Sequence, residues 1–142
     1  MNRTYFTIAF VALLTACGGA PQVATGIVNA GRVVLVEVDV LAAAEYRRAA
    51  EEALEASQSL AEYRTTMEPH DDVEAGLRGA RAALDAMSDL IEVWDQLAEG
   101  EFAAALSSAL DAFESLLAVL RIAGVEPPQV LMDFLSTPTG DL

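Results

Sequence analysis

Three sets of residues in this chain have side chains that could do chemistry: one thiol, one imidazole and a run of carboxylates. Cys17 is the only cysteine, so no internal disulfide and no multi-cysteine metal site can form. His70 is the only histidine and lies among acids in Met67-Glu68-Pro69-His70-Asp71-Asp72-Val73-Glu74. A histidine beside carboxylates can ligate a metal or act as a base. Here the neighbouring proline and the following acids predict an interhelical turn, with Asp71 as the N-cap of the next helix. Asp85, Asp89, Glu92, Asp95 and Glu99 line one flank of that helix. Paired carboxylates do acid–base work only in a cleft that raises one pKa, and an exposed helix face offers none. The run predicts a solvated face and a candidate surface for a basic partner. No Gly-x-Ser-x-Gly elbow, phosphate loop, dinucleotide fingerprint, calcium loop or Glu-x-x-His pair occurs. The expectation is therefore a protein that is not an enzyme and has no catalytic residue, cofactor, metal or small-molecule substrate.

The chemistry of Cys17 depends on what precedes it. Arg3 gives a short basic start, and Tyr5 to Leu14 form an apolar run broken only by Thr7. That run, at about ten residues, is too short to span a bilayer as a helix and fits the core of a signal peptide. It leads into Leu14-Thr15-Ala16-Cys17, which resembles the lipobox of bacterial lipoproteins. The resemblance covers residues 1 to about 20. It implies that the Cys17 thiol accepts a diacylglyceryl group and that residues 1–16 are then removed. Gly18 follows, not the aspartate that in such families favours inner-membrane retention. The resemblance therefore implies an outer-membrane anchor facing the periplasm. At least two acyl chains would give stable attachment where one is marginal.

Composition narrows the partners. The chain has 142 residues, 22 acids, 8 bases that are all arginine, and a formal charge of −14. Removing residues 1–16 would take Arg3 and no acid, leaving 7 bases against 22 acids, or −15. Such a chain lacks the clustered positive charge that nucleic acid needs, and anionic headgroups repel it. Contact with the membrane is expected through the N-terminal lipid, with a protein partner or a homodimer as further options.

The elements that must hold these residues read as helices. Residues 17–30, with Gly18, Gly19, Gly26 and Pro21, predict a flexible tether, although a helix could begin as early as Gln22. Val33 to Val40 alternates like a strand but has no partner strand, so helix is favoured and an intermolecular strand is the rival. Ala42, Tyr46, Ala49, Ala53, Ala56, Leu60, Tyr63 and Met67 repeat every three or four residues and predict one long helix ending before Pro69. Val73, Leu77, Ala80, Leu84, Met87, Ile91, Trp94 and Ala98 predict a second, ended by Gly100. Phe102, Leu106, Ala109, Phe113, Leu116, Leu120 and Ala123 predict a third, stopped by Gly124. A short segment follows Pro127-Pro128 to Leu135, and residues 136–142 read as a loose tail. The fold expected over 31–135 is all-α: an antiparallel bundle of three main helices plus a short C-terminal helix. Tyr46, Tyr63, Trp94, Phe102 and Phe113 fall on core stripes, and Arg47 with Arg48 should form local ion pairs.

This reading predicts a lipid-anchored envelope protein with a binding or structural role. Two narrower roles fit the same frame. One resembles the pilotins, small lipoproteins that escort a secretin subunit, and implies a groove beside the third helix. The other resembles phage-encoded envelope lipoproteins of the spanin or superinfection-exclusion kind.

Overall fold

The computed structural model describes residues 20–136 except Glu99, and these residues form helices joined by short turns. We label the helices α1 (Ala20–Ala56), α2 (Leu60–Glu92), α3 (Glu101–Ile122) and α4 (Gln129–Leu135). A single 3-10 turn, Trp94–Gln96, lies between α2 and α3. The all-α bundle of three main helices plus a short C-terminal one is thus the observed architecture. The expected leader, residues 1–16, and the tail after Ser136 lie outside the described residues, as does Cys17.

Helix boundaries differ from expectation in three places. Residues 20–30 follow the alternative of an early helix start rather than the tether. They are the first turns of α1, with Ala24 and Val28 buried in the core. Burial of those two side chains outweighs the helix-weakening effect of Gly26. The break between the first two long helices falls at residues 57–59, not before Pro69. Ser59 is the N-cap of α2: its hydroxyl accepts from the Glu62 amide at 3.2 Å, and the Glu62 carboxylate accepts from the Gln58 amide at 2.7 Å. This pattern is close to a capping box and satisfies two amides that the first turn would otherwise leave unpaired.

Pro69 sits inside α2. It removes one backbone donor and leaves the Thr65 carbonyl without its i+4 partner. Thr65 is exposed, so water can take that place. Met67 and Val73, each 2% exposed, pin the helix on either side of the proline. Asp71 is consequently an exposed mid-helix residue rather than a cap, and His70 lies within α2, not in a turn.

Val33–Val40 is helical, with Val34, Leu35 and Val38 in the core. Along α2 the buried face is Met67, Val73, Leu77, Ala80, Leu84 and Met87. Along α3 it is Phe102, Leu106, Ala109, Phe113, Leu116 and Leu120. α2 packs against both long neighbours, and α4 closes the remaining side against α1 and α3. The approach is closest at Gly31 of α1, where an added Cβ would lie 2.8 Å from Leu84 Cδ2 and 3.4 Å from Phe113 Cζ.

The turns are specified residue by residue. Gly100 is not a cap of α2, which ends at Glu92. It precedes α3 with φ 83°, and the Glu101 carboxylate accepts from the Ala98 amide. Trp94 rests on Phe102 with ring centroids 5.1 Å apart, fixing the α2–α3 turn. Gly124, at φ 72°, ends α3 as expected. The Val125 amide donates to Leu120 and the Gly124 amide to Arg121, a Schellman closure with Val125 buried behind it. In α4, Leu131 is buried and Phe134 lies 4.7 Å from Phe113 between ring centroids.

α3 is long and apolar enough to cross a membrane by length and composition alone, with a mean hydropathy of 1.5 over its best window. Its apolar side is the bundle's own core, and Asp111 and Glu114 stand exposed on the other side. Of that window 28% is buried in the bundle, and Ile122 at the helix end is 73% exposed.

Three substitutions test these contacts by stability. Ser59→Ala should lower the unfolding free energy by about 1 kcal/mol, whereas Pro69→Ala should raise it by about 1–3 kcal/mol. Denaturant titration followed by circular dichroism reads both, and a helix break at Pro69 would reverse the pair. Gly31→Val should cost about 1–3 kcal/mol by overpacking. A neutral result would refute the close approach of α1 to Leu84 and Phe113.

Candidate functional site

Five acids and one thiol were the sequence's candidates. Cys17 and Glu99 lie outside the described residues. Asp85, Asp89 and Glu92 project from one face of α2 at spacings of four and three, and all are exposed. Asp95 is exposed in the 3-10 turn, where the α2 register no longer applies. Asp85 faces Arg32 of α1 at 3.6 Å, with 72% and 50% of the two side chains exposed. Arg81 pairs in the same way with Asp39 at 3.2 Å. Such exposed pairs contribute little stability and exchange partners readily.

The acidic flank therefore stays together over about two turns of α2 and is solvated throughout. It carries no basic residue in the last turn of α2. Acids at that end oppose the helix dipole.

His70 is half-buried and meets the ring of Tyr46 edge-on, with centroids 6.3 Å apart. Burial, then the negative charge of Asp71, coupling to the Tyr63 phenol and the charge of Glu74, hold the Tyr46 phenol above its ordinary pKa of 10.0. The phenol is neutral at any physiological pH. Arg48 is held to Glu45 and Glu52 of its own helix. These contacts raise its already high pKa, and the expected local pairing is observed. Arg47 instead donates from Nε to the Ala43 carbonyl at 3.4 Å.

Of the expected core aromatics, Phe113 is fully buried and Phe102 is 9% exposed. Trp94 and Tyr63 are half-buried, and Tyr46 is 37% exposed. Among the described residues no polar or charged side chain is buried, and no group of three or more His, Cys, Asp or Glu could hold a metal ion.

One feature escaped the sequence reading. Val33, Val36 and Val40 are 58%, 63% and 68% exposed on the outer face of α1. Their three-then-four spacing was visible in the sequence. It was masked because Val34, Leu35 and Val38 occupy the intervening positions, so the segment reads as evenly apolar.

No protein-family model, curated protein or solved structure matches the chain.

Neutralising the acidic flank should relieve both mutual repulsion and the unfavourable dipole interaction. Asp89→Asn, Glu92→Gln and Asp95→Asn together should raise the unfolding free energy by about 0.5–1 kcal/mol. A thermal melt at low ionic strength reads the gain, and destabilisation would mean that these carboxylates hold structural contacts.

Proposed function

We propose that the protein is a lipid-anchored component of a bacterial cell envelope with a non-catalytic binding or structural role. The observation that carries this reading is Leu14-Thr15-Ala16-Cys17, placed after a basic start and a short apolar run. The lipid would hold the chain at an outer membrane, facing the periplasm.

Three structural facts support it. α1 begins at Ala20, three residues beyond Cys17, so a lipid on that cysteine would sit at the foot of a long helix. The core is wholly apolar among the described residues, which suits a structural module better than a site for bond chemistry. The acids Asp85, Asp89, Glu92 and Asp95 lie in solvent, where a basic partner could reach them.

Between the narrower roles, an escort would keep an open groove beside α3. Instead Phe113, Leu116, Leu120 and Leu131, each 0% exposed, fill that region. This favours a structural role over a pilotin-like one.

The test is expression of the full chain in a bacterial host with labelled palmitate. The chain should incorporate label, lose residues 1–16 and pellet with membranes. Cys17→Ser should lose the label and the lipid-dependent processing. Blocking lipoprotein signal peptidase should leave the native chain at full length. Label-free, unprocessed native protein would overturn the anchor.

A further inference from the structure

The outer face of α1 carries an apolar seam that the bundle itself leaves uncovered. Val33, Val36, Val40 and Ala43 follow one another at spacings of three, four and three, and all are exposed. The opposite face, Val34, Leu35 and Val38, is 4%, 3% and 0% exposed. α1 is thus apolar on two sides, and only one of them is used. A three–four repeat is the spacing by which two helices supercoil around one another, and β-branched residues at the first position of the heptad favour two parallel strands. Val33 and Val40 take that first position, with Val36 and Ala43 at the fourth.

The flanking charges choose the occupant and its direction. Arg32 immediately precedes the first seam position, and Glu37 immediately follows the fourth. In a parallel pair of helices, residues with these two roles meet across the seam when they are five apart in sequence. Arg32 of each copy then faces Glu37 of the other, twice by symmetry. An antiparallel pair that keeps all three valines in the seam instead sets Glu37 against Glu37 and Asp39 against Asp39. Arg32 can turn to the new partner because its bond to Asp85 is long and half exposed.

We infer that the protein forms a parallel homodimer through Val33, Val36, Val40 and Ala43 of α1, locked by reciprocal Arg32–Glu37 pairs. The high negative charge of the chain opposes association, so added salt strengthens the dimer. Asn29, one step before Val33 in the same repeat and exposed, adds a polar residue to the seam, and such residues fix register. The seam stands whether or not Cys17 is acylated. Acylation would add alignment by holding both N-termini at one surface.

Sedimentation of the full chain in mild detergent, with single-cysteine crosslinking in membranes, tests this. The native chain should sediment as a dimer. Val36→Glu with Val40→Glu should weaken it at least about a hundredfold by placing unpaired charge in the seam, with unchanged helical circular dichroism because both positions face solvent in the monomer. Arg32→Glu should weaken it about tenfold, since two attractions become repulsions. Adding Glu37→Arg to that variant should restore the dimer to within about twofold. Loss of the Arg32–Asp85 bond alone would not be rescued in this way. Val36→Cys and Val40→Cys should each crosslink to itself, with the native chain as the control for Cys17. Crosslinking only when these two variants are mixed would mean an antiparallel pair. A native chain that stays monomeric in added salt would overturn the dimer, and failure of the charge swap would overturn the parallel register. The sedimentation readouts do not depend on the lipid.

Discussion

The bundle is organised around the line where three helices meet at Leu84 and Phe113. Leu84 is 1% exposed and Phe113 not at all. Gly31 lets α1 settle directly onto both side chains. A Cβ at that position would meet Leu84 Cδ2 at 2.8 Å, so the Leu84 side chain would have to shift within a packed core. Phe113 also takes Phe134 of α4 against its ring, so the short last helix is seated by the same contact. Burial of side chains of this size stabilises by roughly 1.5–3 kcal/mol each, and α2 collects most of it because both long neighbours pack on it. Its intrinsic weakness at Pro69 is tolerated for that reason. The proline falls where Met67 and Val73 are already held, and the lost backbone bond faces solvent.

The helical class was plain in the sequence because apolar residues recur every three or four positions for most of its length. The boundaries were harder, and for a physical reason. From Ala53 to Ala56, Leu60, Tyr63 and Met67 the repeat never loses phase, so periodicity is silent about the break at residues 57–59. Pro69 looked like the stronger signal, and the six-residue step from Met67 to Val73 shifts the apolar stripe there, yet the helix runs on. The decisive feature was local hydrogen bonding: Ser59 followed three residues later by Glu62 is a helix start written in side chains. In the same way Gly26 suggested a tether, while Ala24 and Val28, four apart, already marked a buried face. Propensity gave way to burial at both places. Gly124 could be read directly, since a positive φ after an apolar helix is a requirement of the Schellman closure and not a matter of degree. For the candidate site, the shared face of Asp85, Asp89 and Glu92 followed from helical spacing alone. The position of Asp95 did not, because the helix had already ended.

Charge and shape divide the surface in two. The acids of α2 point into solvent against the preference of the helix dipole, and arginines are too few to neutralise them. The outer face of α1 is instead nearly free of charge from Val33 to Ala44, apart from Glu37 and Asp39 at its margins. A monomer gains nothing from three valines held in water on the side opposite its core. Their presence is a local disagreement between sequence and monomeric fold, in a chain whose other choices agree across caps, turns and packing. Such disagreements mark places where something else is meant to bind.

The proposed anchor and the proposed seam constrain one another. α1 has 37 residues and so runs about 55 Å, beginning three residues after the cysteine that would carry lipid. Two such helices rooted in one membrane surface can meet only side by side and pointing the same way. That is the arrangement in which Arg32 and Glu37 attract. Confinement to a surface raises the effective concentration of one copy around another without any new contact. A seam of three valines and one alanine is strengthened by that confinement. Asp85 would then border the seam through its bond to Arg32, while Asp89, Glu92 and Asp95 stay exposed to a basic partner. A single long helix would in this way serve as stalk, as dimer seam and as one wall of the core.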